Sequence, residues 1–248
     1  MEVIFLGTNG WFDTTMGNTI CILIRTAKHA IVLDAGNGIS KLDQYVHEDE
    51  AVHLFLSHHH LDHIAGLHIL AKFRFCQGLT IAGPEGTRRI LDQIVNHPFT
   101  LPLEQLPYRV TVLELPRDRK RVPFDLATAS LRHPVPTLGY RFEIDGKIVS
   151  YCPDTGYCPE AVGLARNADL LITECAYRIG EDQPDWPHLN PGTAARIARE
   201  SGARKLVLVH FDASRYPSQE SRYAAEHYAQ QYHSDTIAAF DGTRVTVL

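Results

Sequence analysis

The sequence predicts an α/β fold, a four-layer αββα sandwich in which two mixed sheets pack together and helices cover their outer faces. Three observations predict it. The chain opens with three strand-like runs joined by turns that contain glycine and asparagine, and a fourth apolar run leads into a histidine-rich turn. The second half then alternates strands with helices, a pattern that produces sheets covered by helices.

The elements of the first half follow from apolar runs and from turn residues. Pro84 predicts the start of a helix that ends near Asn96. The segment Asn96–Tyr108 carries three prolines, and we expect an irregular lid or a dimer contact there. In chain order the predicted strands are Glu2–Leu6, Thr19–Arg25, Ala30–Asp34, His53–Leu56, Leu79–Ala82 and Val110–Leu115, with a helix over Ile64–Cys76 after the fourth.

The elements of the second half also follow from apolar runs and turn residues. Asp145-Gly146 is a strong hairpin signal. The basic run Arg117–Arg121 is either a solvated hairpin tip or a contact with substrate or a partner chain. Further strands are predicted at Val122–Leu131, Tyr140–Ile144, Lys147–Tyr151, Asp169–Thr173 and Lys205–Val209, helices at Pro159–Asn167, Pro191–Ser201 and Ser218–Gln231, and a last hairpin of Thr236–Phe240 with Arg244–Val247 around Asp241-Gly242.

Length and composition are those of an ordinary globular protein. The chain has 248 residues, of which 44% are hydrophobic and 21% charged, enough to bury one large core. We expect one domain over residues 1–248, built from two similar halves of roughly 1–130 and 131–248. The net charge is −5 with neutral histidines. Proteins that bind long nucleic acids usually carry a basic surplus, so a long nucleic acid is not an expected partner.

The N-terminus and the cysteines both bear on where the protein is located. The N-terminus enters a strand without a basic region, so no signal peptide is expected, and no apolar run is long enough to cross a bilayer. The five cysteines are odd in number and scattered, unlike those of a zinc ribbon. We therefore expect a cytoplasmic protein with free thiols.

The histidine-rich turn, Ser57–His63, is the strongest chemical signal. Side chains at alternating positions of extended backbone point the same way, so His58 and His60 can converge on one cation. Asp62 and His63, where the chain turns, can reach a second cation. The alternative is a solvated polyhistidine patch, which predicts neither the apolar strand before it nor suitable partners later in the chain.

Such partners exist. His133, Asp154 and His210 each follow a predicted strand, at the point where the strand meets a loop. Side chains that carry out chemistry are commonly mounted there, because the sheet below holds the loop rigidly. The three residues are therefore candidates for the same site.

The set His-x-His-x-Asp-His, followed by His, Asp and His, resembles the metallo-β-lactamase superfamily, whose members carry two metals at one edge of an αββα sandwich. The resemblance implies a metal site with these ligands: His58, His60 and His133 for the first metal, Asp62, His63 and His210 for the second, and Asp154 bridging them. It also implies that Asp34 braces the histidine motif, as outer carboxylates commonly do; otherwise Asp34 is a turn former.

Within the superfamily the chain resembles ribonuclease Z and its relatives. The resemblance rests on four segments: Phe5-Leu6-Gly7-Thr8 with Asn18, His133–Tyr140, His210-Phe211 with Ser214-Arg215-Tyr216, and Thr173-Glu174-Cys175-Ala176 with His188, where Glu174 and His188 match a glutamate-histidine pair.

Two departures separate the chain from enzymes that process transfer RNA. Such enzymes usually insert a long RNA-binding arm between the motif histidine and the bridging aspartate, and His133 to Asp154 leaves no room for it. The segment after His210 is one position longer than in the family and contains an acidic residue, Asp212. Asp212 would repel a phosphate if it faced the site. The resemblance therefore favours an armless relative, similar to the small phosphodiesterases of the phosphonate pathway.

The chemistry follows from the ligand set. Two divalent metals ~3.5 to 4 Å apart clamp a bridging water, lower its pKa and neutralise charge on the attacked group. Asp62 can orient the bridging hydroxide or take its proton. His188, held by Glu174, is the candidate acid for the leaving alkoxide. The alternative for His188 is a surface histidine, and the alternative for Glu174 is a salt-bridged residue at a strand end.

We therefore expect a dinuclear metal-dependent phosphodiesterase that acts on a small or nucleotide-sized ester and forms a homodimer. Zinc is the expected metal, with manganese or iron as alternatives, because imidazole and carboxylate suit all three. Three other functions stay open: hydrolysis of a sulfate ester, lactone or thioester, a ribonuclease Z-type endonuclease, and a non-catalytic accessory protein that binds a ligand.

Overall fold

The computed structural model describes all 248 residues, Met1 to Leu248. Fifteen strands carry the fold. In chain order they are β1 (Glu2–Gly7), β2 (Asn9–Gly10), β3 (Cys21–Arg25), β4 (His29–Leu33), β5 (Ala51–Phe55), β6 (Leu79–Pro84), β7 (Val110–Leu115), β8 (Asp125–Ser130), β9 (Leu138–Ile144), β10 (Lys147–Cys152), β11 (Leu170–Glu174), β12 (Lys205–Val209), β13 (Phe211–Asp212), β14 (Thr236–Ala238) and β15 (Arg244–Thr246).

Five α-helices and four 3-10 segments connect the strands. The α-helices are α1 (Leu61–Ile64), α2 (Thr87–Ile94), α3 (Pro159–Leu164), α4 (Pro191–Ser201) and α5 (Gln219–Gln230), and the 3-10 segments are Asn37–Gln44, Ala65–Lys72, Leu103–Gln105 and Arg119–Arg121. Asn190 and Ser218 begin α4 and α5 with reciprocal capping boxes, which satisfy amides that the helix itself cannot.

The strands form two large sheets and one two-stranded pair. The first sheet has the order β15-β1-β3-β4-β5-β6-β7, and the second has the order β14-β12-β11-β10-β9-β8. In each sheet one part is antiparallel and the other parallel: β4 to β7 run parallel in the first, and β10, β11, β12 and β14 in the second. The small pair joins β2 to β13.

Side-chain alternation along the strands separates the layers. In β3, Ile22 and Ile24 face the second sheet, whereas Leu23 faces the outer helical layer. In β12, Val207 and Val209 face the first sheet, while the alternate residues pack under the helices of the second half. Successive side chains of a strand point to opposite faces, so each sheet has two apolar faces. The predicted αββα sandwich is confirmed.

The helix predicted over Ile64–Cys76 is wrong. The chain makes one α-helical turn, α1, and then the 3-10 segment Ala65–Lys72. Two backbone groups leave the helical ladder here, because the Ala35 amide donates to the His63 carbonyl at 2.7 Å and the Gly66 amide donates to the Ala35 carbonyl at 2.9 Å. Gly66 allows this approach, since a Cβ would lie 2.4 Å from the Gly36 carbonyl oxygen.

The last predicted hairpin is also wrong. β14 pairs in parallel with β12 in the second sheet, while β15 pairs antiparallel with β1 in the first. Asp241 fixes the crossing between them: its carboxylate accepts hydrogen bonds from the Thr8 hydroxyl at 2.8 Å, the Asn18 amide at 2.8 Å and the Lys41 ammonium at 2.6 Å. The turn is therefore held to the first sheet.

Other predicted boundaries shift by a few residues. Pro84 ends β6 instead of opening a helix, and α2 begins at Thr87 after a left-handed Gly86. The Asn96–Tyr108 segment packs on the 3-10 segment Ala65–Lys72, because Thr100 donates to the His68 carbonyl at 2.7 Å and Tyr108 to the Leu70 carbonyl at 2.7 Å. These contacts hold the segment on the outer layer of the first sheet.

The basic run 117–121 forms a turn between β7 and β8. Arg117 pairs with Glu114 at 3.0 Å, and Arg121 with Asp118 at 3.6 Å. No helix in the structure combines the length and apolar character that crossing a membrane requires.

Candidate metal centre

The seven side chains predicted as metal ligands lie together at one edge of the sandwich. Each stands just beyond the carboxyl end of a strand or in the turn that follows it, because the parallel strands of both sheets end on this side. They form two groups whose ligand atoms lie within 4.8 Å of one another: His58, His60, His133 and Asp154, and Asp62, His63 and His210.

The first group contains three imidazoles besides Asp154. The His133 Nε2 atom lies 3.4 Å from His60 Nδ1, and the His58 and His60 rings are 4.6 Å apart. Burial lowers the pKa of His58 and His60, and lowers the pKa of His133 to about 4. All three rings are therefore neutral at pH 7 and offer a lone pair, which is the form that binds a metal.

The second group combines a carboxylate with two imidazoles. His210 Nε2 lies 3.1 Å from Asp62 Oδ2 and 3.1 Å from His63 Nε2. Burial opposes ionisation of Asp62, but the charge of His63 and the hydrogen bond from His210 outweigh it and hold the pKa below its usual range. For His63, nearby Asp154 and Asp34 likewise outweigh burial and raise the pKa.

Asp154 lies between the two groups. Its Oδ1 atom is 3.1 Å from His63 Nε2 and 3.2 Å from His210 Nε2, while its Oδ2 atom is 3.9 Å from both His58 Nε2 and His133 Nε2. Each carboxylate oxygen thus faces a different group. That arrangement is the one a bridging ligand requires.

Divalent cations fit this set of residues. The buried His58 Nε2 atom has no hydrogen-bond partner, although buried polar atoms almost always have one. Lone pairs of the three neutral imidazoles of the first group and oxygens of ionised carboxylates converge on the same space. A cation would satisfy these atoms and balance the carboxylate charge.

Asp34 braces the histidine motif from below. It follows β4 in the left-handed region, at φ 56°, and is fully buried. Its carboxylate accepts hydrogen bonds from the Ser57 amide at 2.7 Å, the Ser57 hydroxyl at 2.9 Å, His63 Nδ1 at 2.9 Å and the Tyr151 hydroxyl at 2.7 Å. The bond to His63 Nδ1 leaves Nε2 to face the site.

Ser57 extends this support to His58. Its hydroxyl donates to Asp34, so the hydroxyl oxygen is free to accept from His58 Nδ1 at 3.0 Å. The proton on Nδ1 leaves the Nε2 lone pair directed at the metal site. Sequence analysis found Asp34 but missed Ser57 and Tyr151, whose role depends on contacts across the fold.

Glu174 and His188 form a pair beside Asp154. His188 Nδ1 donates to Glu174 Oε1 at 2.6 Å and lies 4.0 Å from Asp154 Oδ2. Burial lowers the pKa of His188, but the Glu174 charge outweighs it and raises the pKa to about 9. Glu174 itself accepts from the Thr155 amide at 2.7 Å and the Ala176 amide at 3.0 Å. His188 is therefore an oriented, cationic imidazole.

Asp212 does not present a free charge to the site. Its carboxylate accepts from the amides of Ser214 and Arg215, at 2.8 and 3.1 Å, and pairs with the Arg215 guanidinium at 2.5 Å. The extra acidic residue is neutralised within its own turn, so the repulsion considered from the sequence does not arise.

A buried arginine holds the loop that covers His210. Arg222 donates to Thr8 Oγ1 at 2.9 Å and to Asn9 Oδ1, and it stacks on Phe211. The loop lies close to His210, because a Cβ on Gly10 would come within 2.5 Å of that ring. Nothing in the sequence distinguishes Arg222 from a surface arginine of α5.

Both tryptophans of the chain lie in segments that contact the site, and sequence analysis missed them too. The Trp186 ring lies nearly parallel to the His60 ring at 5.9 Å, and edge to face with His133 at 5.9 Å. The Trp11 amide donates to Asp62 Oδ2 at 2.7 Å. The rarity of tryptophan in the chain could have drawn attention to both residues. Their exposure and their position near the site depend on the fold.

The chain is similar to known proteins over most of its length. Probable metallo-hydrolase YhfI of Bacillus subtilis is 28% identical over 216 residues, 85% of this chain and 86% of that protein. Its crystal structure has a TM-score of 0.82 at 24% identity and covers 99% of both chains. Ribonuclease Z of Pyrococcus horikoshii is 28% identical in an alignment that covers 85% of this chain and 86% of that protein.

A further solved structure shares the fold. The short form of human tRNase Z has a TM-score of 0.78 at 22% identity and covers 100% of both chains. The family model described as beta-lactamase superfamily domain matches residues 29–211. Fold, clustered histidines and aspartates, and this match together show that the chain belongs to the metallo-β-lactamase superfamily, a family of metal-dependent hydrolases.

Proposed function

We propose that the chain is a dinuclear metal-dependent phosphodiesterase that acts on a small or nucleotide-sized phosphate ester. The observation that carries the proposal is the position of Asp154 between two ligand groups, with the cationic His188 beside it. Two ligand groups that can each hold a cation, together with one proton donor, suit an anionic ester whose leaving oxygen needs a proton.

The proposed ligands are those predicted from the sequence, with zinc as the metal and manganese or iron as alternatives. Divalent cations at such a site lower the pKa of a coordinated water and neutralise phosphate charge. Asp62 would orient the water, since its Oδ2 atom is fixed by the Trp11 amide at 2.7 Å. In this proposal the seven residues hold the cations, and Asp62 orients the attacking water.

His188 protonates the leaving oxygen in this proposal. Its Nδ1 is occupied by Glu174, so Nε2 carries the proton that can be transferred. A pKa of about 9 keeps that proton in place at neutral pH. The ring is also mostly shielded, so bulk water competes weakly for the transfer.

A small substrate is favoured by the hairpin between His133 and Asp154. β9 and β10 are joined by Asp145-Gly146, so residues 138–152 form a plain hairpin and carry no RNA-binding arm. The net charge of −5 also disfavours a long polyanion. A ribonuclease Z-type endonuclease is the second candidate, supported by the relatives that carry that name.

The test combines metal content with a substrate panel. We expect two metal ions per chain by elemental analysis, and faster hydrolysis of bis(p-nitrophenyl) phosphate than of an aryl sulfate, a lactone or a thioester. Cleavage of a precursor tRNA with a 3′ trailer, at a rate above that for the small diester, would favour the endonuclease. Ligand binding without turnover would favour an accessory role.

The variant His60→Ala tests the role of the cluster. We expect loss of turnover together with a lower melting temperature, because removing one ligand weakens metal binding that stabilises the fold. His68→Ala is the matched control, since His68 is exposed and lies outside the cluster. Unchanged activity and metal content in His60→Ala would refute the metal site. We also propose a homodimer, which sedimentation at micromolar concentration checks.

A further inference from the structure

Four of the nine large apolar side chains that are exposed to solvent belong to segments that carry or contact the proposed ligands. Trp11 is 66% exposed, Leu61 72%, Trp186 48% and Phe12 43%. Leu61 stands between two proposed ligands, His60 and Asp62. Ligand sites are lined mainly by hydrophobic and aromatic side chains with a few polar groups, so these residues can contact a part of the ligand other than its phosphate.

The segments that carry the two tryptophans contact different ligand groups. Trp186 contacts the first ligand group through His60 and His133. Trp11 is attached to the second group through its amide, which donates to Asp62 Oδ2. A group bound at the metal centre is therefore close to the segments that carry the two rings.

Both tryptophans have a fixed backbone. The Trp186 carbonyl accepts from the Tyr177 hydroxyl, and its amide donates to the Gln183 carbonyl at 3.1 Å. Trp11 lies in the left-handed region at φ 72°, which is strained for a bulky residue. In the next residue, the Phe12 amide donates to the Gly10 carbonyl, and the Phe12 carbonyl accepts from the Asn9 side chain. Rigid aromatic side chains lose little entropy on binding.

We propose that Trp11 and Trp186 determine specificity by stacking on a planar aromatic ring carried by the ester substrate. The ring belongs either to a nucleobase or to an aryl alcohol, because both offer the same flat apolar face. Stacking of a base on an indole should raise affinity at least about fivefold per ring. The inference rests on the proposed phosphodiesterase function for the place where the ester binds.

The experiment uses the fluorescence of the two tryptophans themselves. The metal-loaded protein is titrated with two matched pairs of monoesters: adenosine 5′-monophosphate against ribose 5-phosphate, and phenyl phosphate against methyl phosphate. We expect the aromatic member to quench the emission and to bind at least about tenfold more tightly. A preference within the adenosine pair alone identifies a nucleobase, and one within both pairs identifies any aryl group.

Variants assign the preference to the two rings. Trp186→Ala and Trp11→Ala should each reduce it about five- to tenfold without changing metal content, and Trp186→Phe should restore part of it. Each single variant keeps the other tryptophan as reporter. Tyr223→Ala, an exposed aromatic residue of α5 at 44% exposure, is the matched control and should keep the full preference.

Three results would overturn the inference. Equal affinities within both pairs would do so, as would loss of the preference only together with loss of metal. An unchanged preference in variants that turn from dimer to monomer would assign the patch to a second copy of the chain. Absence of diesterase activity with an intact aromatic preference would instead reject the proposed function and leave this inference standing.

Discussion

Among the histidines of the site, His188 is distinguished by a carboxylate partner on Nδ1 and by a raised pKa. If His188 is the general acid, His188→Ala should retain both metals and lose roughly 10²- to 10⁴-fold in rate. The loss should be large for an ester with a poor alkoxide leaving group and small for a p-nitrophenyl ester, because p-nitrophenolate departs without a proton. Steady-state rates on the two esters measure the difference.

Glu174→Gln is the companion variant. The amide keeps a hydrogen-bond acceptor for His188 but removes the charge that raises its pKa, so we expect the same pattern with a milder loss. Equal losses for good and poor leaving groups would make His188 a substrate-binding residue. Loss of metal in His188→Ala would make it structural.

Asp34→Asn tests the brace beneath the histidine motif. An amide at this position cannot accept all four hydrogen bonds that the carboxylate accepts, so a buried donor is left without a partner. We expect a loss of about 1–3 kcal/mol in the free energy of unfolding and roughly 10- to 100-fold weaker metal binding. Urea unfolding and a chelator competition measure the two effects. Wild-type metal affinity in the variant would contradict the brace.

At the scale of elements, β4 and β5 carry a pair of histidines at the end of the sandwich away from the metal centre. His53 Nε2 lies 3.3 Å from His29 Nδ1, and both rings contact Phe124. Burial, aided by the charge of His29, lowers the pKa of His53 to about 4. The ordinary value in an unfolded chain is about 6.5.

This pair predicts acid sensitivity. As the pH falls below about 6.5 the unfolded state takes up a proton that native His53 refuses until about pH 4, so stability decreases over that interval. His53→Leu should lose less stability than the wild type between pH 7 and pH 5. Melting temperatures of both proteins after the same chelator treatment check this, because metal loss then affects them equally. Parallel profiles would contradict it.

For the whole molecule, we propose that residues 1–248 unfold as one cooperative unit. The core between the sheets contains residues from both halves of the chain, such as Phe5 and Val207. The crossing after β14 also returns the chain to the first sheet, where β15 pairs with β1. A single calorimetric transition is the expected observation.

Removal of residues 244–248 tests the crossing. Val245 and Val247 are each 6% exposed, and leaving their contacts should cost about 3–6 kcal/mol. The exposed edge of β1 should also promote aggregation. Deletion of Leu248 alone is the control, since it is 87% exposed. Equal melting temperatures for the two truncations would show that β15 adds little.

The parts of this structure that sequence predicted are those that depend on local patterns. Apolar runs located the strands of both sheets, and the strand ends located the proposed ligands, because side chains at the carboxyl ends of neighbouring strands must meet. The spacing of His58, His60, Asp62 and His63 is itself a local pattern. Hairpin geometry at Asp145-Gly146 was readable for the same reason.

What could not be predicted depends on long-range contacts. The 3-10 segment after α1 exists because Ala35 takes two of its backbone groups, and the crossing before β15 exists because Asp241 is held by Thr8, Asn18 and Lys41. Arg222 and Trp186 gain their roles from residues far away in the chain. No window of sequence contains both partners of such contacts.

The left-handed backbone at Trp11, Asp34 and His210 bears on how this protein will respond to engineering. Each such residue stores about 1–3 kcal/mol of strain, and glycine or asparagine at Trp11 would release it. Selection for thermostability alone should therefore enrich Trp11→Gly and discard an aromatic side chain from the site. Substitutions that relieve strain at this edge of the sandwich would raise stability, but they would also remove the proposed substrate selectivity.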